Sequence, residues 1–126
     1  MLPFGTDEVT LVQRVEAEED GRTQVGYVKH ALSGCSWRRR SSWKQIGARM
    51  ERGEEITCRI PAGQAVPRAG DYMFRGEVPE NIESSAELTA ALEKHREDGA
   101  FRIASVADNA GSGAPMAHYA ASGEGA

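Results

Sequence analysis

The chain has few of the residues on which disulfide-stapled or membrane-bound proteins depend. It contains only two cysteines, Cys35 and Cys58, which allow one bridge at most, and their spacing matches no zinc motif. No apolar run approaches the roughly 18 residues that a membrane-spanning helix needs. The first residues lack the basic-then-apolar layout of a secretory signal. We therefore expect one soluble domain that stays in a reducing cytoplasm unless an assembly carries it elsewhere.

Residues suited to catalysis are also scarce. The three histidines lie far apart in the sequence, at positions 30, 95 and 118. A metal site built from His30, His118 and Cys35 has no support in local spacing. The segment Gly111-Ser112-Gly113 lacks the lysine that follows the glycines of a phosphate-binding loop. The sequence therefore predicts no enzyme, no cofactor and no metal.

The chain is rich instead in the period-two alternation of short β-strands. In residues 54–60, Ile56, Cys58 and Ile60 alternate with polar residues, which predicts a half-buried strand with Cys58 as a small buried residue. Asp20-Gly21 predicts a hairpin turn between a strand that begins at Val9 and a strand over residues 23–32. We expect Ser33-Gly34 to end that second strand. Further strands are predicted over residues 72–78, 101–106 and 115–120.

Two other segments complete the pattern. Residues 41–50 have weak periodicity and predict a loop or a short helix, whereas residues 62–69 predict a loop. Ser84 and Glu87 have the spacing of a capping box, and apolar residues follow at helical spacing, so a helix is expected over residues 85–97. His95 lies on the apolar stripe of that helix and is expected to pack. Gly99 can end the helix.

These elements predict a mainly β (α+β) fold. We expect a small antiparallel β-barrel or sandwich of about six strands with one inserted α-helix. Residues 1–126 would form a single β-rich domain, with residues 120–126 as a flexible tail.

Charge is distributed unevenly along the chain. Residues 29–52 carry seven Lys and Arg against one acid, a local charge of +6. The flanks carry eight Lys and Arg against eighteen acids, or −10, which restores the net charge of −4. Burying unpaired guanidinium groups is costly, so the basic side chains must be solvated, paired with acids or held against an anionic partner.

The basic stretch supplies the candidate contact residues. Three interpretations stay open: a solvated loop whose tryptophans fill the core, a protein interface, and a nucleic-acid contact. Tryptophan and arginine together are typical of interface hot spots, whereas the negative net charge weakens non-specific binding to DNA. The candidate contact residues are Trp37, Arg38, Arg39, Arg40, Trp43 and Lys44.

The order of several short motifs resembles that of small proteins encoded by tailed phages and prophages of Gram-positive bacteria. Those proteins are similar in size and layout to head–tail connectors of the head-closure, or stopper, type. The motifs that carry the resemblance are Val9-Thr10-Leu11, Tyr27 with Leu32-Ser33-Gly34-Cys35-Ser36-Trp37, Ile60-Pro61, Gly70-Asp71-Tyr72, Val106-Ala107-Asp108-Asn109 and His118-Tyr119.

This resemblance implies a non-enzymatic phage structural protein that acts by oligomeric docking. It implies a small β-barrel, a homo-oligomeric ring, and neck proteins on the portal or adaptor side and on the tail side as partners. It allows contact with packaged DNA, involves no membrane, and places the protein in the virion after assembly in the host cytoplasm. A loop at residues 37–44 or 62–69 would face the channel or a neighbouring ring.

Two rival hypotheses remain at this stage. One is a small β-barrel that binds nucleic acid through the basic segment 37–44. The other is a small hydrolase or metal enzyme, which would need a deep polar pocket holding His30, His95 or His118.

Overall fold

The computed structural model describes residues 7–109 and 118–124, and within them the chain forms an antiparallel sheet of seven strands and a single helix. The strands are hydrogen-bonded in the order β5-β4-β1-β2-β3-β7-β6. In chain order the elements are β1 (Asp7–Glu19), β2 (Arg22–Ile46), β3 (Arg49–Pro61), β4 (Tyr72–Arg75), α1 (Ser85–Lys94), β5 (Ala100–Arg102), β6 (Ser105–Asn109) and β7 (His118–Glu124).

The sheet curls into a half-barrel, which confirms the predicted mainly β fold with one inserted helix. The count exceeds the predicted six because the strand expected over residues 101–106 is two strands, β5 and β6. Between them the chain leaves one edge of the sheet for the other. There the Ile103 N–H donates to the Asp71 carbonyl (2.7 Å) and the Ala104 N–H donates to the Ser122 carbonyl (2.8 Å).

The inside of the curl holds the larger hydrophobic core. Alternate residues of β1, β2, β3, β4 and β5 point into it, as the period-two pattern predicts. Trp37 on β2 meets Phe101 on β5 edge-on, with ring centroids 5.3 Å apart, so this contact spans the curl. The buried members are Val9, Leu11, Leu32, Cys35, Trp37, Ile56, Cys58, Ile60, Met73, Phe101, Ile103 and Ala121.

A second core lies on the outer face of β1, β4 and β5, where α1 covers the sheet. Helix and sheet bury Val12, Phe74, Val78, Ile82, Leu88, Ala91 and Ala100 between them. The capping prediction is confirmed, because the Glu87 N–H donates to the Ser84 hydroxyl (3.3 Å). The Glu87 carboxylate accepts from the Glu83 N–H rather than from that of Ser84. The helix ends at Lys94, earlier than the predicted residue 97.

Strand β2 departs most from the prediction, because it does not end at Ser33-Gly34. At Gly34 the backbone has a φ of 68° and the strand continues to Ile46. The pairing with β1 shifts at the same place: Val9 faces Leu32, but Asp7 faces Cys35. The extra residue on β2 is a bulge, which bends a strand without ending it.

The predicted loop at residues 62–69 is confirmed, and its residue Ala65 packs against the inner core. The Gln64 side chain donates to the Ser33 carbonyl (2.7 Å) and accepts from the Ser33 N–H (2.9 Å). The Gln13 amide donates to the Val66 carbonyl (2.8 Å) and to the buried Asp71 carboxylate (3.0 Å). These bonds hold the loop against β1 and β2.

The half-barrel is tightest where β7 passes β5. A Cβ atom at Gly123 would lie 2.1 Å from the Arg102 carbonyl oxygen and 2.7 Å from a ring carbon of Phe101. Only glycine fits this approach of two backbones.

The flexible tail predicted from residue 120 is wrong for residues 120–124. They lie in β7, which pairs with β3 on one side and with β6 on the other. Residues 125 and 126 lie outside the described part of the chain. So do residues 110–117, which include the start of the strand predicted over residues 115–120.

Candidate functional site

The β2–β3 hairpin extends beyond the rest of the described sheet. Strand β1 pairs with β2 only as far as Cys35, and β7 pairs with β3 only between Glu55 and Pro61. Residues 41–54, called the arm below, therefore form a two-stranded ribbon that has no other strand beside it in the described part of the chain. Six residues of each strand give the arm a length of about 20 Å.

The arm corrects the prediction of a loop or short helix at residues 41–50. Both of its faces meet solvent, so its sequence lacks the apolar alternation that identifies half-buried strands. The turn at its tip is residues 47 and 48, between the paired Ile46 and Arg49. Gly47 has a φ of 60° at the first turn position, which two-residue hairpins with a type II′ turn require.

Large apolar side chains are exposed at the tip of the arm. Trp43 is 66% exposed, Met50 59% and Ile46 50%. Trp43 and Met50 share one face of the ribbon, because Trp43 pairs with Arg52 and Met50 pairs with Gln45, two residues along. Tryptophan and methionine are enriched at protein interfaces, so the tip has the composition of a contact surface.

Trp37 is not part of that surface. It is 8% exposed and lies in the inner core, and its backbone N–H donates to the Asp7 carboxylate (2.9 Å). The two tryptophans thus have different places: Trp37 fills the core, as the solvated-loop interpretation expects, and Trp43 projects from the arm. A direct contact through the Trp37 ring is excluded by its burial.

The three consecutive arginines lie at the base of the arm and alternate between its faces. Arg39 points to the core side and lies 3.8 Å from the Glu54 carboxylate. Arg38 and Arg40 point to the opposite, outer side of the sheet. Lys44 lies on that outer side as well, opposite Glu51, and its side chain is outside the described part of the structure.

A third arginine, which the sequence analysis did not select, joins Arg38 and Arg40. Arg59 on β3 faces Ser36 on β2, and so lies on the same outer side and diagonally beside Arg38. Arg38, Arg40 and Arg59 are called the arginine row below. They border a surface pocket of about 380 Å³ together with Arg39, Ser36, Thr57 and Glu55. Arg59 could have been found by continuing the alternation through Cys58 and Ile60.

A comparison with known protein families places this chain in one of them. The family model of DUF6751 matches residues 4–124. The chain belongs to the DUF6751 family. It is a family of unknown function. No curated protein matches the chain.

The histidines of this DUF6751 chain do not gather into a site. His95 packs edge-on against Phe74, with ring centroids 5.9 Å apart, which confirms the packing role predicted for it. His118 pairs with Asn109 in the β6–β7 ladder. His30 faces Leu11 on β1. Within residues 7–109 and 118–124, no group of three His, Cys, Asp or Glu side chains is arranged to hold a metal ion.

The two cysteines are free, buried and close to each other. A hydrogen bond with Cys35, together with burial, raises the pKa of the Cys58 thiol. Cys58 therefore stays protonated and behaves as the small buried residue that the alternation predicts.

A polar cluster joins α1 to the segment that precedes it. Lys94 Nζ lies 2.6 Å from one Glu80 oxygen, and His95 Nε2 lies 2.8 Å from the other. The hydrogen bond from Lys94, followed by that from His95, lowers the pKa of Glu80 to about 2. Lys29 donates to the backbone carbonyls of Val78 and Glu80 at 2.9 and 2.7 Å. These contacts hold the segment in place.

Helix α1, the one helix in the described residues, has 10 residues. No helix in the described residues is long and apolar enough to cross a membrane.

Proposed function

We propose that the protein is a non-enzymatic structural protein of a tailed phage or prophage, and that it acts by docking through the arm. The observation that carries the proposal is the exposed tip, with Trp43, Ile46 and Met50 on a ribbon that projects from the half-barrel. Burial of the exposed parts of Ile46 and Met50 in a partner is worth on the order of 1 kcal/mol each, and that of Trp43 more. An arm of this kind suits a groove on another protein.

The proposed place of docking is the head–tail junction. This placement is based on the resemblance between the order of the sequence motifs and that of head-closure connectors. In this proposal, copies of the chain form a ring between the portal-side or adaptor protein and the tail-side protein. The protein then resides in the virion after assembly in the host cytoplasm.

The first test is the composition of the particle. Particles purified from the phage or prophage that encodes the chain are expected to contain it by mass spectrometry. Deletion of its gene is expected to leave separate heads and tails in electron micrographs. Absence of the protein from every particle rejects the proposal.

The second test assigns the docking to the arm. In the deletion background, Trp43→Ser combined with Met50→Ser is expected to leave heads and tails unjoined, and the wild-type chain to join them. The matched control is Val25→Ser with Val28→Ser, two side chains that are each 42% exposed on the β1–β2 hairpin. Both variants should melt like the wild type because all four side chains are exposed. Equal failure of the control would show that docking does not depend on the arm.

A further inference from the structure

We infer that the arginine row binds the phosphodiester backbone of a nucleic acid. Arg38, Arg40 and Arg59 all point away from both the inner core and the Trp43 face of the arm. The arginine row and the pair Trp43 and Met50 therefore lie on opposite faces of one hairpin. The inference does not depend on the connector proposal, since it concerns what the isolated chain binds.

The spacing of the three arginines suits successive phosphates. Residues two apart on a strand are about 6.6 Å apart, which is the spacing of Arg40 and Arg38. Arg59 lies diagonally across the ladder from Arg38, a separation of about 7–8 Å. The three side chains thus form a line with nearly even steps, comparable to the steps between neighbouring phosphates along a nucleic-acid strand. A guanidinium group can donate two parallel hydrogen bonds to each phosphate.

In the described part of the chain, the three guanidinium groups lack the carboxylate partner that four arginines elsewhere in the sheet have. Arg14, Arg39, Arg49 and Arg75 each lie within 4.0 Å of a carboxylate. Among the described residues no such ion pair involves a member of the arginine row. Glu55 faces Arg40 in the ladder and is the one acid among the described residues that border the pocket. On the outer face, the three arginines of the row and Glu55 leave the described lining of the pocket a charge of +2.

The surroundings of the row indicate which part of a nucleic acid it would contact. Ser36 and Thr57 lie beside the arginines on the outer face, and the Thr57 hydroxyl lies 3.2 Å from that of Ser122. Hydroxyl and guanidinium groups are typical contacts to phosphate and sugar. None of the described residues that line the pocket has an aromatic ring on which a base could stack. We therefore expect binding that follows the backbone with little preference for sequence.

The test is fluorescence anisotropy with labelled single- and double-stranded oligonucleotides of mixed sequence. Three phosphate contacts predict a log–log salt slope of about −2.7 for the duplex and about −2.1 for the single strand. Between 50 and 200 mM salt, the duplex affinity should then fall about 40-fold. The variant Arg38→Ala, Arg40→Ala, Arg59→Ala is expected to lose this binding and its salt dependence.

The control removes the same charge elsewhere. The variant Arg14→Ala, Arg22→Ala, Arg96→Ala also takes the net charge from −4 to −7 by removing three positive charges from exposed positions. It should retain most of the binding, and thermal melts should show that both variants are folded.

Three results would overturn the inference: no binding by the wild type at 50 mM salt, equal loss in the control, or stronger competition by poly-L-glutamate than by unlabelled oligonucleotide. The last result would assign the row to an acidic protein surface instead.

Discussion

The closure of the half-barrel can be tested with a single methyl group. Alanine in place of Gly123 puts a Cβ atom 2.1 Å from the Arg102 carbonyl oxygen and 2.7 Å from the Phe101 ring. Neither neighbour can move freely: the first is backbone, and the second is fully buried against Trp37. The added methyl group must therefore push β7 away from β5.

The size of the effect follows from the cost of overpacking. Extra methylene groups in a packed core cost about 1–3 kcal/mol, occasionally more. Because the contact at Gly123 is with a backbone atom, we expect the upper end, about 3 kcal/mol. For a domain of 126 residues, roughly 4 °C of melting temperature corresponds to 1 kcal/mol, so the loss should be about 12 °C.

The measurement is urea unfolding followed by tryptophan fluorescence, together with a thermal melt. The midpoint should fall while the slope of the free energy of unfolding against urea stays constant. The control is Gly26→Ala, where the nearest atom to a new Cβ, Val15 Cγ2, lies at an ordinary 3.7 Å. That variant should be neutral or slightly more stable, since alanine reduces the freedom of the unfolded chain.

One result would refute the reasoning about closure. If Gly123→Ala and Gly26→Ala both have the melting temperature of the wild type, then β7 is not in close contact with β5. The half-barrel would then be open along that side.

Two further predictions concern the helix layer. Leu88→Ala should lower the free energy of unfolding by about 2–5 kcal/mol in chemical denaturation, because Leu88 of α1 is buried against the sheet. Leu92→Ala should lower it by less, because Leu92 is only half-buried. Equal losses in the two variants would contradict the observed orientation of the helix. The pKa of Glu80 is lowered from 4.5 to about 2 by Lys94 and His95, so its contribution to stability should be complete above pH 4.5 and lost as the pH falls toward 2. Glu80→Gln should therefore be less stable than the wild type near pH 6 and equal to it near pH 2, and a difference that persists at pH 2 would contradict this assignment.

The sequence was sufficient for residues 54–60, where one face of β3 is buried and the other is exposed to solvent. Ile56, Cys58 and Ile60 are buried as their alternation predicts. The Asp20-Gly21 turn also forms as predicted, with positive φ at both residues. These signals are local, since each depends on the few residues that surround it.

The arm could not be found in this way, because its position depends on tertiary structure. Trp37 and Trp43 lie on the same face of β2, an even number of residues apart, yet one is buried and the other is exposed. Trp37 packs against Phe101 across the curl, whereas within the described residues only β3 pairs with the part of β2 that holds Trp43. A contact such as that of Trp37 with Phe101 depends on a residue far away in the sequence.

The unbroken course of β2 has a mechanical consequence. One strand of 25 residues, bent at Gly34, runs between the tips of two hairpins with no intervening loop. Tension applied at the Trp43 end is transmitted directly along covalent backbone toward the opposite tip. The flanking strands resist that tension in shear, with many hydrogen bonds loaded together rather than unzipped one at a time. The protein should therefore resist extension most strongly along the axis of β2, which is the direction in which a partner bound to the arm would pull.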